Sequence, residues 1–272
     1  MDPSGKRAYV TGGASGIGLR VAEIFAARGA HVATFDLDAR SEALRRIEAA
    51  CRETAQRVRT YVLDVSDADA VATVFRQAAA DLGAPDILFH AAGVGGFSRP
   101  FEEFPADRFE HMIRVNLLGS RHVAAAGLPL MPAGGRLAFM ASLAGLVTAY
   151  GQSGYAASKH GVVGLASVLR VECRPRGIAV CVICPPEIDT PMAREDARTR
   201  APETTAMKLF AGTVDLDAGC RYMVERVLRG QFLIIPGRRA RLTWLIQKLL
   251  PRGLTNAMAD RLVASVRARR RT

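Results

Sequence analysis

From residue 8 to residue 235, short apolar runs alternate with helix-patterned runs, and that order fits a parallel sheet with helices on both faces. Candidate strands fall at 8–11, 31–35, 58–63, 87–90, 137–141, 178–183 and 232–235. Between them lie candidate helices at 17–28, 39–54, 67–82 and 109–128, a helix carrying Tyr155, and one at 216–228. Right-handed crossovers then make the sheet doubly wound. A chain of 272 residues can bury such a core as one domain, and 25 glycines with 49% hydrophobic residues suit buried parallel strands.

The run TGGASGIG at 11–18 lies between the first strand and the first helix, where an anion site is expected. Gly12, Gly16 and Gly18 let the backbone turn tightly and come close to a pyrophosphate, and Ser15 and Ile17 complete the loop. Asp36 follows eighteen residues after Gly18, at the end of the second strand. A carboxylate there accepts hydrogen bonds from ribose hydroxyls and repels a 2′-phosphate, which Asp38 reinforces. The alternative role for Asp36 is a helix cap, and for Asp64 an ordinary loop acid.

Tyr155 and Lys159 are four residues apart on a candidate helix and project from one face, with Ser142 thirteen positions upstream at the end of an apolar run. A free tyrosine titrates near 10. A neighbouring ammonium, together with the positive charge of an oxidised nicotinamide, favours the phenolate, so the two are expected to lower that value and fit Tyr155 for proton transfer. Ser142 is placed to hold the substrate oxygen.

Taken in order, TGGASGIG, Asp64-Val65, His90-Ala91-Ala92-Gly93, Asn116, Ser142, Tyr155 with Lys159, and Pro185 to Thr190 resemble the short-chain dehydrogenase/reductase family across roughly residues 5–237. The resemblance implies a Rossmann-type doubly wound α/β fold and a catalytic tetrad of Asn116, Ser142, Tyr155 and Lys159. Asn116 would fix a water between Lys159 and solvent. It also implies adenine contact at Asp64 and Val65, dinucleotide contacts at Ala92 and Gly93, and Lys159 reaching the ribose. Pro185, Ile188 and Thr190 would meet the nicotinamide carboxamide, and residues 191–213 would form a mobile lid. Two positions depart from the family pattern: His90 stands where Asn is usual, and Pro186 where Gly is usual. Within the family, the stretches at 185–191, 201–204 and 116–120 look most like 3-ketodihydrosphingosine reductases, which reduce a ketone on a long-chain base and typically use NADPH. Asp36 points the other way, to NAD(H), with NADP(H) as the alternative.

Five scattered cysteines give no disulfide framework. Cys181 and Cys184 form a C-x-x-C, but in an apolar strand followed by two prolines, so they read as buried thiols, and no metal site is expected. The N-terminus runs straight into the first strand and leaves no room for a signal peptide, which places the chain in the cytoplasm or on the cytosolic face of a membrane.

The net charge of +11 is confined to one end. Residues 226–272 hold twelve Lys or Arg and one acid, Asp260, while residues 1–225 hold 25 of each sign. The chain therefore divides into a dinucleotide-binding catalytic domain, 1–237, and a basic amphipathic extension, 238–272. In the extension Leu242, Leu245, Ile246 and Leu249 form a helical stripe beside Trp244. A second stripe of Leu254, Met258, Leu262 and Val266 ends in Arg267-Ala268-Arg269-Arg270-Arg271. Such an element packs on a neighbouring subunit of a homo-oligomer or lies in the membrane interface. With one tryptophan, no recognition motif and a neutral body, nucleic acid is not an expected partner.

The function expected is interconversion of a secondary alcohol and a ketone on an apolar, long-chain or lipid substrate. The alternatives are a 3-oxoacyl or small-alcohol dehydrogenase without membrane contact, and a non-catalytic dinucleotide-binding protein. The last has no use for Tyr155 paired with Lys159.

Overall fold

The computed structural model describes residues 1–38, 40–147 and 149–269. Nine strands are present among them: β1 Arg7–Thr11, β2 His31–Asp36, β3 Val58–Val62, β4 Ile87–His90, β5 Arg136–Met140, β6 Ala179–Ile183, β7 Glu187–Ile188, β8 Thr213–Val214 and β9 Leu233–Ile234. The helices are α1 Gly16–Ala26, α2 Ser41–Ala49, α3 Ala68–Leu82, α4 Ala106–Met112, α5 Gly119–Gly127 and α6 Ser153–Glu172. They continue with α7 Pro191–Thr199, α8 Pro202–Ala211, α9 Leu216–Leu228, α10 Arg238–Leu249 and α11 Arg252–Ala268. The expected second helix was to begin at Ala39, which lies outside the described residues, as do Arg270 and Arg271 of the basic terminus.

The main sheet has seven strands, all parallel, in the order β3-β2-β1-β4-β5-β6-β9. Because side chains alternate faces along a strand, each strand feeds two cores. Tyr9, Phe35, Leu88, Leu137 and Phe139 enter one, beneath α3, α5 and α6. Val10, Val32, Phe89, Ala138 and Ile183 enter the other, beneath α1, α2 and α9. Aromatic contacts knit both sides: Tyr9 meets Phe75 edge-on at 5.8 Å and Phe25 meets Phe89 at 6.4 Å.

Helices α1 and α9 come from opposite ends of the sequence yet lie against each other. Arg20 on α1 donates to Asp217 on α9 through Nε at 2.7 Å and also bonds the buried Glu23. Strand order reverses between β1 and β4, and the crevice at such a reversal is where open α/β sheets bind ligands. The two short strands β7 and β8 pair outside the main sheet and tie the start of the lid to its end.

Candidate active site

At the crevice, Gly12 has a φ of +71°, and its N–H donates to Phe35 O at 2.7 Å. A Cβ here would lie 2.8 Å from the Ala92 nitrogen, so only glycine lets the β1 loop pass the β4 loop. Ser15 is the N-cap of α1 but its hydroxyl makes no capping bond. The first-turn N–H groups of α1 thus take no bond from Ser15, and Gly16, Ile17 and Gly18 line the crevice at the helix start, the arrangement a pyrophosphate requires. Asp36 does cap a backbone group, accepting from Ala14 N–H at 2.9 Å, but in the glycine loop rather than in the helix after it. Asp64 accepts from Ser66 N–H at 2.8 Å.

These groups open onto one cavity of about 560 Å³. Every residue singled out from the sequence for catalysis or cofactor binding lines it, apart from Asn116, which is buried behind its wall. Asn116 sits in a π-helical segment, Ile113–Leu118, inserted between α4 and α5. Its side chain accepts from Val94 N–H at 2.8 Å and donates to Val94 O and Ser158 Oγ, each at 3.0 Å. Asn116 thus pins the loop after β4 against α6.

Helix α6 sets Tyr155 and Lys159 one turn apart. Lys159 is buried, and its Nζ donates to Met140 O at 3.0 Å and lies 5.6 Å from the centre of the Tyr155 ring. The Ser142 hydroxyl accepts from Ala144 N–H at 3.2 Å and lies beside the Tyr155 phenol. Burial pushes that phenol above its ordinary value, the nearby Ser142 hydroxyl opposes the rise, and Asp196 and Cys184 add to it. In the chain by itself burial is the dominant influence on the phenol, and the Lys159 ammonium is engaged by the Met140 carbonyl. Lys159 is itself brought down to about 8 by burial. The site thus holds a protonated phenol beside an ammonium that titrates near the neutral range. Cys181 and Cys184 are buried and unpaired, both thiols being raised to about 12 by burial.

His90 replaces the asparagine of the family pattern. Its Nδ1 bonds Thr11 Oγ1 at 2.7 Å, and Thr11 Oγ1 accepts from Ala92 N–H, so the histidine supports the glycine-loop crevice from below. The buried Nε2 has no partner. Burial, with the Lys159 charge adding to it, depresses the imidazole from 6.5 to about 3. Between those values the unfolded chain takes up a proton that the folded chain refuses, so stability is full above pH 6.5 and falls as pH drops toward 3. From neutral pH to about pH 4.5 this costs on the order of 2–3 kcal/mol. Urea unfolding at both pH values should show that loss in the parent chain and a clearly smaller one in His90→Asn. Equal losses would remove His90 as their source.

The residues of the expected lid, 191–213, are mostly helical, in α7 and α8. Four charges anchor it. Arg200 and Lys208 each bond both Glu187 and Asp196, and Asp196 also accepts from Ser98 Oγ at 2.8 Å. Sequence patterning did not single out this network, since only Asp196 and Arg200 stand at a helical spacing and the other members lie in separate elements. Helices α10 and α11 fold back onto α8, and Thr243, Ile246, Gln247, Met258 and Leu262 complete the cavity wall. Arg267 of α11 bonds the buried Glu203 of α8 at 3.1 Å and Tyr150 Oη at 2.7 Å, which clasps the extension to the lid and to the loop before Tyr155. The only early sign of this roof was the pair of polar residues, Thr243 and Gln247, opposite the leucine stripe.

Comparisons with known proteins agree with this architecture. The short chain dehydrogenase family model matches residues 6–201. D-beta-hydroxybutyrate dehydrogenase of Cupriavidus necator is 35% identical over 206 residues, covering 73% of this chain and 76% of that protein. The 3-dehydrosphinganine reductase of Danio rerio is 32% identical over 234 residues, covering 84% of this chain and 70% of that protein. Among solved structures, a short chain dehydrogenase/reductase from Burkholderia phymatum in complex with NAD superposes with a TM-score of 0.77 at 25% identity, covering 91% of this chain and 94% of that one. Another solved relative holds NADP.

Proposed function

This chain belongs to the short-chain dehydrogenase family, and from that membership we propose that it interconverts a ketone and a secondary alcohol on an apolar, long-chain substrate, with NAD(H) preferred. An oxidoreductase of this family uses a nicotinamide dinucleotide, and the N–H groups at the start of α1 fit one. Bound there, the nicotinamide supplies or takes up the hydride.

The chain's own groups handle the oxygen. Ser142 orients it and Tyr155 moves a proton to or from it. A phenol held protonated by burial is in the form that donates to a ketone oxygen in the reductive direction. Lys159 supplies positive charge beneath the phenol, and Asn116 holds the loop against which both pack. Asp36, on the cavity wall, favours unphosphorylated ribose, although its bond to Ala14 shows that it also serves the loop. Residues 1–237 carry the catalytic machinery, and helices α10 and α11 of the extension 238–272 roof it.

The observation that carries the substrate class is the cavity wall beyond Tyr155. It is largely apolar, built from Phe97, Val147, Met207, Ile246 and Leu262 among others, and suits a chain rather than a sugar. The likeness to the zebrafish reductase points the same way. A cytosolic position at a membrane face and assembly with further copies belong to the same reading.

A panel of ketones graded by chain length, run with NADH and NADPH, tests it. Turnover efficiency should rise with chain length, and Asp36→Ala should weaken NADH binding and narrow its advantage over NADPH. Indifference to chain length would overturn the substrate class. A parent chain that binds NADPH more tightly would overturn the cofactor preference.

A further inference from the structure

Helix α10 turns Ala240, Trp244 and Ile246 inward, yet unlike an ordinary surface helix, whose apolar stripe faces the core, it leaves its leucines outside. Its polar Thr243 and Gln247 line the cavity, while Leu242, Leu245 and Leu249 are 58%, 39% and 72% exposed. Their spacing puts the three leucines on one face, and Arg238, Arg241 and Lys248 are exposed on or beside it. The apolar surface continues onto Leu250 and Leu254, and onto Leu209 and Phe210 of α8. Phe210 and Met258 are both exposed and part of the cavity lining, so they stand at its mouth.

An exposed apolar set of this extent marks a contact surface. Its charge points to the partner, because α10 and α11, which carry most of it, belong to the segment with twelve Lys or Arg and one acid. Leucines flanked by cations, beside a tryptophan, fit the headgroup boundary of an anionic bilayer. Among the described residues no helix is long and apolar enough to cross a membrane, so the contact would be made by lying on the surface.

We infer that the α8, α10 and α11 face docks on anionic lipid with the cavity mouth against the bilayer, so that an apolar ketone passes from lipid to Tyr155 without crossing water. This rests on the long-chain reading above and names the surface from which such a substrate is drawn. Lys159 and Tyr155 lie at the inner end of that path, and Phe210 and Met258 at its entrance.

The test uses the full chain and the double variant Leu245→Asp/Leu249→Asp, whose side chains lie outside the cavity lining. Co-sedimentation with phosphatidylcholine vesicles, with and without phosphatidylglycerol, measures docking. The parent should bind the anionic vesicles at least tenfold more tightly, with the advantage falling as salt shortens the reach of the cations below the ~8 Å physiological screening length. Trp244, the one tryptophan of the chain, should be quenched by brominated lipid. The double variant should lose vesicle affinity by tenfold or more. It should keep its turnover of a short soluble ketone and of a long-chain ketone delivered on cyclodextrin, and lose most of its turnover when that ketone is embedded in vesicles.

Equal vesicle binding by both proteins, or none by the parent, would overturn the docking. So would a double variant that changes only the oligomer size in sedimentation, which would make the face a contact between copies. Refusal of the cyclodextrin-delivered ketone by the parent would overturn the long-chain reading instead. The sedimentation result would then decide docking by itself.

Discussion

Tyr155→Phe should lower kcat for ketone reduction by a hundredfold or more, a loss of about 2.7 kcal/mol or greater in transition-state stabilisation. The substitution keeps the ring, which packs near Gly95, and removes only the hydroxyl beside Ser142. Dinucleotide affinity, measured by calorimetry, should therefore stay within about twofold, far below the tenfold that 1.4 kcal/mol represents. Because burial already keeps the phenol protonated, the defect should persist across the neutral range rather than vanish on acidification. A variant that retained more than a tenth of its turnover would show that the proton comes from elsewhere.

Gly18→Ala should abolish dinucleotide binding and lower stability by about 3 kcal/mol. The added Cβ would fall on the carbonyl oxygen of Gly12, well inside contact distance, and both groups belong to backbone that has no flexible end to yield. Relief requires α1 to move away from the β1 loop. That movement would pull the helix N-terminus out of the crevice and weaken the packing of α1 on α9. Thermal unfolding and cofactor titration should register the two losses together. Wild-type affinity in a folded Gly18→Ala protein would show that the loop adapts in a way the close approach of Gly18 to Gly12 forbids.

The sheet was legible because a buried parallel strand is written as a short apolar run, and seven such runs stand in the order the sheet needs. The glycine loop and the Tyr155–Lys159 pair were legible because each is local, and a fixed spacing guarantees a shared face. What depends on long-range placement was not. The interval 109–128 reads as one helix, yet it is broken by the π-helical segment at Ile113–Leu118, since a single wider turn leaves no trace in hydrophobic period. The direction of the Tyr155 shift followed from burial of the phenol, which a four-residue spacing does not reveal. The Glu187, Asp196, Arg200 and Lys208 network, and the clasp from Arg267 to Glu203 and Tyr150, join residues that only the folded chain brings together. The leucine stripe of α10 was visible in sequence, but a stripe does not say whether it faces the core or the outside.

The seating of α1 against α9 sets an order of events during synthesis. Arg20 and Asp217 are 197 residues apart, and translation proceeds at ~5–20 residues per second, so the helix that bears the glycine loop waits on the order of 10–40 s for its partner. Through that interval Leu19, Ile24 and Phe25 lack part of their eventual cover. A nascent chain released early would therefore carry every residue of the phosphate loop and still hold no dinucleotide. It would expose an apolar helix face of the kind that chaperones recognise, and saturating cofactor would not rescue it.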